Sequence, residues 1–179
     1  GRLPFGAALL FYYDSPHSVL KMWTAIEIEE VAPDSQDAVE LIGELDAHLM
    51  AHPYPPQSRH AFSVEKLLRE QVVFFVTRYE RQLAGCGGIK MFGTDYGEVK
   101  RMFVRPEFRG KGLGKAMLRR LVQYALQNGA GVLRLETGIY EVEAIGLYER
   151  FGFARRAPFG EYVQDPLSVY FEKSIEEAT

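Results

Sequence analysis

The chain has 179 residues, 47% of them hydrophobic and 25% charged, which is enough apolar material for one globular domain with a sizeable core. Its formal net charge of −3 argues against a general nucleic-acid binder, and no apolar run is long enough to span a bilayer. Cys86 is the only cysteine, so an intrachain disulfide is excluded and a reducing, cytoplasmic setting is expected; within Ala84-Gly85-Cys86-Gly87-Gly88 it reads as a buried strand thiol.

Residues 1–21 stand apart. Leu3 to Tyr13 is apolar and aromatic, yet it runs into Asp14-Ser15-Pro16-His17 with no signal-peptidase site. The expectation is an extension or leader at 1–21, extended or packed on a partner, followed by a single domain over 22–179. Ala25 to Val31 reads as the first strand. Pro33-Asp34-Ser35 then gives helix-start signals, and Val39, Leu41, Ile42, Leu45 and Leu49 form a helical apolar face that ends at His52-Pro53-Tyr54-Pro55-Pro56. Ser63 starts a short second helix to about Arg69. Gln71–Tyr79 and Gln82–Met91 are rich in strand formers around a Glu80-Arg81 turn, a hairpin.

Glu98 to Val104 is the next strand, closed by Pro106. Leu113, Met117, Leu118, Leu121, Val122 and Ala125 give the buried face of a third helix, stopped by Asn128-Gly129. Val132–Thr137 is a strand. Ala144, Leu147, Tyr148 and Phe151 fall at i, i+3, i+4 and i+7 on a fourth helix that Gly152 ends, and Phe153–Arg156 and Leu167–Phe171 are the last strands. The order β-α-α-β-β-β-α-β-α-β-β predicts an α/β fold with a mixed central sheet flanked by helices.

The chemistry concentrates at Arg109-Gly110-Lys111-Gly112-Leu113-Gly114-Lys115, between the fourth predicted strand and the third helix. The first N–H groups of a helix lack intrahelical partners and carry the positive end of the helix dipole, so this turn suits a bulky anion such as a pyrophosphate. The spacing fails both nucleotide patterns. A Walker A loop needs Gly where Arg109 stands and a hydroxyl where Ala116 stands; a Rossmann loop needs its third Gly at Lys115 or Met117. What remains, R-G-x-G-x-G directly after Arg101-Met102-Phe103-Val104-Arg105-Pro106, resembles the acetyl-CoA signature of the GNAT superfamily of N-acetyltransferases. A second family-like stretch, Ala144-Ile145-Gly146-Leu147-Tyr148-Glu149-Arg150-Phe151-Gly152-Phe153, follows in the right order, and the resemblance runs from about Ile26 to Lys173.

The resemblance implies acetyl-CoA (coenzyme A) as cofactor and direct acetyl transfer to an amine. It assigns the backbone of Met102, Phe103 and Val104 to the pantetheine arm and thioester carbonyl, and Arg109, Gly110, Lys111, Gly112, Leu113, Gly114 and Lys115 to the pyrophosphate. Tyr148 matches the family's general acid for the departing thiolate. An alkyl amine with a pKa near ~10.4 must lose a proton before attack, and Glu98 matches the general base of some members, with Glu136 a weaker candidate. Strand alternation would put Glu98, Lys100 and Met102 on one face. Many members carry Asn where this chain has Glu141, so that cofactor contact departs from the pattern.

His48 and His52 are four apart, but no Glu follows His48 as H-E-x-x-H requires and Pro53 breaks the helix, so no metal is expected. The acceptor side, by resemblance, takes Tyr54, Arg59 and His60 from the first region and Phe159, Glu161 and Tyr162 from before the last strand. Aromatics with both charge signs suit a small amine that also carries a carboxylate, such as an amino acid or related metabolite. A protein N-acetyltransferase and a non-catalytic acyl-CoA sensor stay open as alternatives, and the apolar N-terminal run is a candidate homodimer surface.

Overall fold

In the computed structural model the described residues are 25–55 and 63–176. The expected extension at 1–21 and the candidate acceptor residues Arg59 and His60 lie outside them. The elements are β1 (Ile26–Val31), α1 (Gln36–Met50), α2 (Val64–Arg69), β2 (Val73–Tyr79), β3 (Gln82–Phe92), β4 (Tyr96–Val104), a 3-10 turn (Pro106–Phe108), α3 (Leu113–Gln127), β5 (Val132–Gly138), α4 (Val142–Phe151), β6 (Ala154–Arg156) and β7 (Ser168–Ser174). This is the order read from the sequence, with β7 running on past Phe171 to Ser174.

Local chemistry sets the helix starts. Ser35 Oγ accepts from Ala38 N (3.4 Å) and Ser63 Oγ from Lys66 N (3.2 Å), each satisfying a donor that the first turn leaves open. The seven strands lie in the order β1-β2-β3-β4-β5-β7-β6; β4 and β5 run parallel and every other neighbouring pair is antiparallel. On one face α3 and α4 set Met117, Leu118, Leu121 and Tyr148 against Ile89, Val99, Leu133, Leu135 and Phe171. On the other, α1 and α2 set Ala38, Leu41, Ile42, Leu45 and Leu67 against Phe74, Val76, Cys86 and Phe103. Val39, expected on the buried face, is 46% exposed, because the stripe that packs runs through Ala38 instead. Among the described residues no helix is long and apolar enough to cross a membrane.

Two irregularities position the site. Cys86 pairs with Phe103 but Gly88 pairs with Lys100, so Arg101 and Met102 together oppose Gly87, and Arg101 takes a positive φ of 54°. This β-bulge resets the alternation of β4. Arg101 turns toward α1, donating to Asp46 Oδ1 (2.6 Å) and Ile42 O (3.3 Å), while Met102 packs on the α3 side. The expectation that Met102 shares a face with Glu98 and Lys100 is therefore wrong; the extra residue sends it to the opposite face.

The second irregularity is the parallel pair. β4 and β5 are in register only at Gly97–Leu133 and Glu98–Arg134, after which both strands continue unpaired with each other. A wedge opens between their C-terminal ends.

Cys86 lies beneath α1, fully buried, its Sγ 3.4 Å from the Arg101 carbonyl oxygen; burial pushes the thiol up to about 12, against a lowering by Arg101. The native protein is expected to resist a thiol-reactive disulfide reagent at pH 8 and to react stoichiometrically in denaturant. Rapid labelling of the folded chain would contradict this packing.

Candidate active site

The wedge continues into a cleft of about 880 Å³. One wall is the end of β4, Met102, Phe103 and Val104. The floor is the turn into α3, with Arg109, Gly110, Gly112, Leu113, Gly114 and Lys115. The far wall is α4, through Ala144, Leu147, Tyr148 and Phe151, and His48, His52, Tyr140 and Glu141 line it too. The apolar face of α4 read from the sequence is thus shared: Tyr148 is fully buried, whereas Ala144, Leu147 and Phe151 stay half-buried against the cleft.

The turn has the backbone an anion site requires. Gly110 and Gly112 take φ of 75° and 84°, values at which a side chain would be strained, and Gly112 is the N-cap of α3 with no side chain closing the cap. The first helical bond runs from Ala116 N to Gly112 O (3.0 Å), so the amides of Leu113, Gly114 and Lys115 precede the ladder and carry the positive end of the dipole. Gly114 has a different reason to be glycine. A Cβ there would come within 2.7 Å of Leu147 Cδ2, so its absence lets α4 close against the start of α3.

Comparisons with known proteins agree with this geometry. The family model "Acetyltransferase (GNAT) family" matches residues 29–153. An "IAA acetyltransferase" of Azospirillum brasilense is 40% identical over 151 residues, covering 84% of this chain and 98% of that protein. The uncharacterised N-acetyltransferase YsnE of Bacillus subtilis is 35% identical over 152 residues, covering 84% and 99%. Among solved structures, a candidate acyl-CoA N-acyltransferase from Klebsiella pneumoniae superposes with a TM-score of 0.71 at 34% identity over 84% of this chain and 98% of that one. The chain belongs to the GNAT acetyltransferase family.

In this GNAT chain the expected site residues separate into groups. Met102, Phe103, Val104, Arg109, Gly110, Gly112, Leu113, Gly114, Lys115 and Tyr148 converge on one cleft. Lys111 is not among the lining residues; its ammonium sits 4.7 Å from the Tyr79 ring centroid and 5.6 Å from that of Phe108. Arg109 reaches across to α4, donating to Glu143 Oε2 (2.7 Å) as well as to Val104 O (3.1 Å). Such an exposed pair is worth about 0–1 kcal/mol, so it yields readily to a more highly charged anion.

Tyr148 is held by ring contacts to Phe153 and Phe171, with burial first, then Glu141 and Glu136, raising its hydroxyl well above the ordinary tyrosine value. It therefore remains a proton donor through neutral and mildly alkaline pH.

Glu98 has a different surrounding. It is 3% exposed, is absent from the cleft lining, and accepts from Lys100 Nζ and from Tyr162 Oη (2.7 Å), while Lys100 also donates to Tyr162 (2.9 Å). Burial pulls Lys100 down and Glu98 holds it up; burial and Glu98 both push Tyr162 up.

The remaining acceptor candidates do not share the cleft lining. Tyr54 is buried beside Tyr140, accepting from its backbone N (3.0 Å). Phe159 packs in a core cluster with Tyr96 and Tyr170, and Glu161 is exposed.

In the sequence His48, His52 and Glu141 are singled out separately without being joined, and Arg150 is not singled out. Arg150, from the second family-like stretch, adds a third cation beside Arg109 and Lys115. His48 and His52 of the α1 end meet Glu141 of the β5–α4 connection, at 3.0 and 3.3 Å. Their sequence separation of some 90 residues left no local signal.

The Glu98–Lys100 pair gives a stability prediction. Lys100→Met would leave Glu98 buried without its cation and is expected to cost about 3–5 kcal/mol. The double variant Glu98→Gln, Lys100→Met should recover much of that loss in denaturant unfolding. A single variant as stable as the parent would show that the pair is not buried.

Proposed function

We propose that this chain transfers an acetyl group directly from acetyl-CoA to the amine of a small molecule. The observation that carries the reading is the convergence, in one cleft, of an unpaired β4 edge, an uncapped helix start on a glycine turn, and the buried Tyr148. The pyrophosphate takes the amides of the α3 turn, with Arg109, Lys115 and Arg150 supplying charge. The thioester lies along Met102–Val104, where backbone N–H groups face the oxyanion that develops during attack. Relatives named as acetyltransferases support the donor, and a neighbour of the same fold, the PaiA N-acetyltransferase of Thermoplasma acidophilum, was solved with coenzyme A (TM-score 0.67, 23% identity, covering 83% of this chain and 98% of that one).

The neutral amine attacks the thioester carbonyl; a C–N bond forms, the C–S bond breaks, and the thiolate takes the Tyr148 proton. The ammonium proton leaves toward Glu98. Because Glu98 is buried outside the cleft lining and receives the Tyr162 hydroxyl, the route from the amine runs through water to the Tyr162 hydroxyl, which hands its own proton to Glu98 and takes one in exchange; return of that proton through solvent to the Tyr148 phenolate restores both groups. Neither metal nor covalent enzyme intermediate enters the scheme. The small-molecule acceptor rests on the absence from the sequence of an acidic or basic tract suited to a polymer.

Tyr148→Phe is expected to lower kcat by about 10²-fold or more while leaving acetyl-CoA affinity within about twofold, as loss of a general acid requires. Undiminished turnover would remove Tyr148 from the reaction. Gly112→Asp combines backbone strain with like-charge repulsion and should abolish acetyl-CoA binding in calorimetry. Retained affinity would move the pyrophosphate elsewhere. Acetylation of a protein N-terminus or lysine, with no turnover across a panel of amines, would overturn the small-molecule reading.

A further inference from the structure

The His48–His52–Glu141 cluster makes no bond to the reacting groups of the scheme above, and its geometry is specific. One carboxylate faces two imidazoles: His48 Nε2 lies 3.0 Å from Glu141 Oε2 and His52 Nε2 lies 3.3 Å from Oε1. All three candidate ligand atoms fall within 4.8 Å of one another. Around a tetrahedral zinc ion, ligand atoms at about 2.0–2.1 Å from the metal sit about 3.3 Å apart, close to the two carboxylate–imidazole distances here.

The supports are rigid. His48 lies in the last turn of α1, and His52 follows its C-cap Ala51, held by a bond from His52 N to Leu49 O (3.2 Å). Their rings meet edge to face at 5.3 Å, and His52 stacks on Tyr140 at 5.8 Å. Glu141 is the N-cap residue of α4, and its side chain is 15% exposed.

A second observation points to a cation rather than to ion pairing alone. Glu141 Oε1 is buried and makes no hydrogen bond; His52 is near it but outside hydrogen-bonding geometry. An orphaned carboxylate oxygen in a buried position is costly, and a metal ion would satisfy it. The donor set, two imidazoles and one carboxylate, is that of zinc sites with three protein ligands and an open position. Because all three residues line the cleft that Tyr148 also lines, that open position faces the cleft.

We propose that His48, His52 and Glu141 bind one zinc-class divalent ion at the mouth of the cleft. The ion would tie the end of α1 to the start of α4 and offer a coordination position to an oxygen, nitrogen or sulfur donor entering the cleft. Binding of the ion does not depend on acetyl transfer, so the two readings stand or fall separately.

The test uses the full chain after chelator treatment and dialysis, titrated with Zn²⁺ by calorimetry and with Co²⁺ by visible absorption. The expected result is one ion per chain, a d–d band of four- or five-coordinate Co²⁺, and a rise in Tm with Zn²⁺. His48→Gln, His52→Gln and Glu141→Gln should each weaken Zn²⁺ binding by about a hundredfold and abolish the Tm shift, with far-UV spectra and metal-free melting checked to confirm folding. Absence of binding to the parent would overturn the proposal. So would parent-like Zn²⁺ affinity in a folded His48→Gln, His52→Gln double variant, which would locate the ion on other residues.

Discussion

The parting of β4 and β5 after Glu98 is the constraint on which the rest of the structure depends. Two parallel strands that stay paired bury their backbone groups in each other; these pair at two positions and then diverge. The freed edge of β4 would be a liability in a closed sheet, because unpaired amides and carbonyls seek partners. Here it borders a cleft, where an extended amide-bearing ligand such as the pantetheine arm can complete it. The bulge at Arg101 works with this divergence. By adding one residue, it turns Arg101 to α1 and Met102 to the cleft side, so the last turns of β4 are aimed differently from its first half.

The cleft's electrostatics are graded. At the α3 turn there are backbone donors, a dipole end and the cations Arg109, Lys115 and Arg150. Further along, the charge changes sign with Glu141 and Glu143. Tyr148 lies near the negative end, where its burial first, and then Glu141 and Glu136, help keep its proton in place. An anionic cofactor held at one end therefore presents its reacting end where a neutral proton donor is stable. The Glu98–Lys100–Tyr162 triad is closed against itself on the other face of β4, so the Glu98 carboxylate does not meet the cleft directly.

Much of this was legible in the sequence because it is written in backbone-level features. The glycine turn, the helix caps Ser35 and Ser63, the Pro106 stop and the apolar spacing of α3 and α4 all act locally, so the order of elements and the glycine turn that opens α3 could be read directly. What escaped depends on tertiary register. An Arg at positive φ gives no sign of a bulge, and the parity argument from Glu98 to Met102 failed there. Lys111 belongs to the same turn and packs over the Tyr79 and Phe108 rings, contacts that only the tertiary fold creates. Phe159 has the composition of a binding-loop residue and the surroundings of a core residue. His48, His52 and Glu141 come together only once the end of α1 meets the start of α4.

The most direct test of the central account is hydrogen exchange of the full chain with and without acetyl-CoA. If the open β4 edge and the α3 turn hold the cofactor, protection should rise at Met102–Val104 and at Gly110–Lys115, with little change in β1 and β2. Protection elsewhere with these amides unchanged, under conditions where acetyl-CoA binding is saturated, would contradict it.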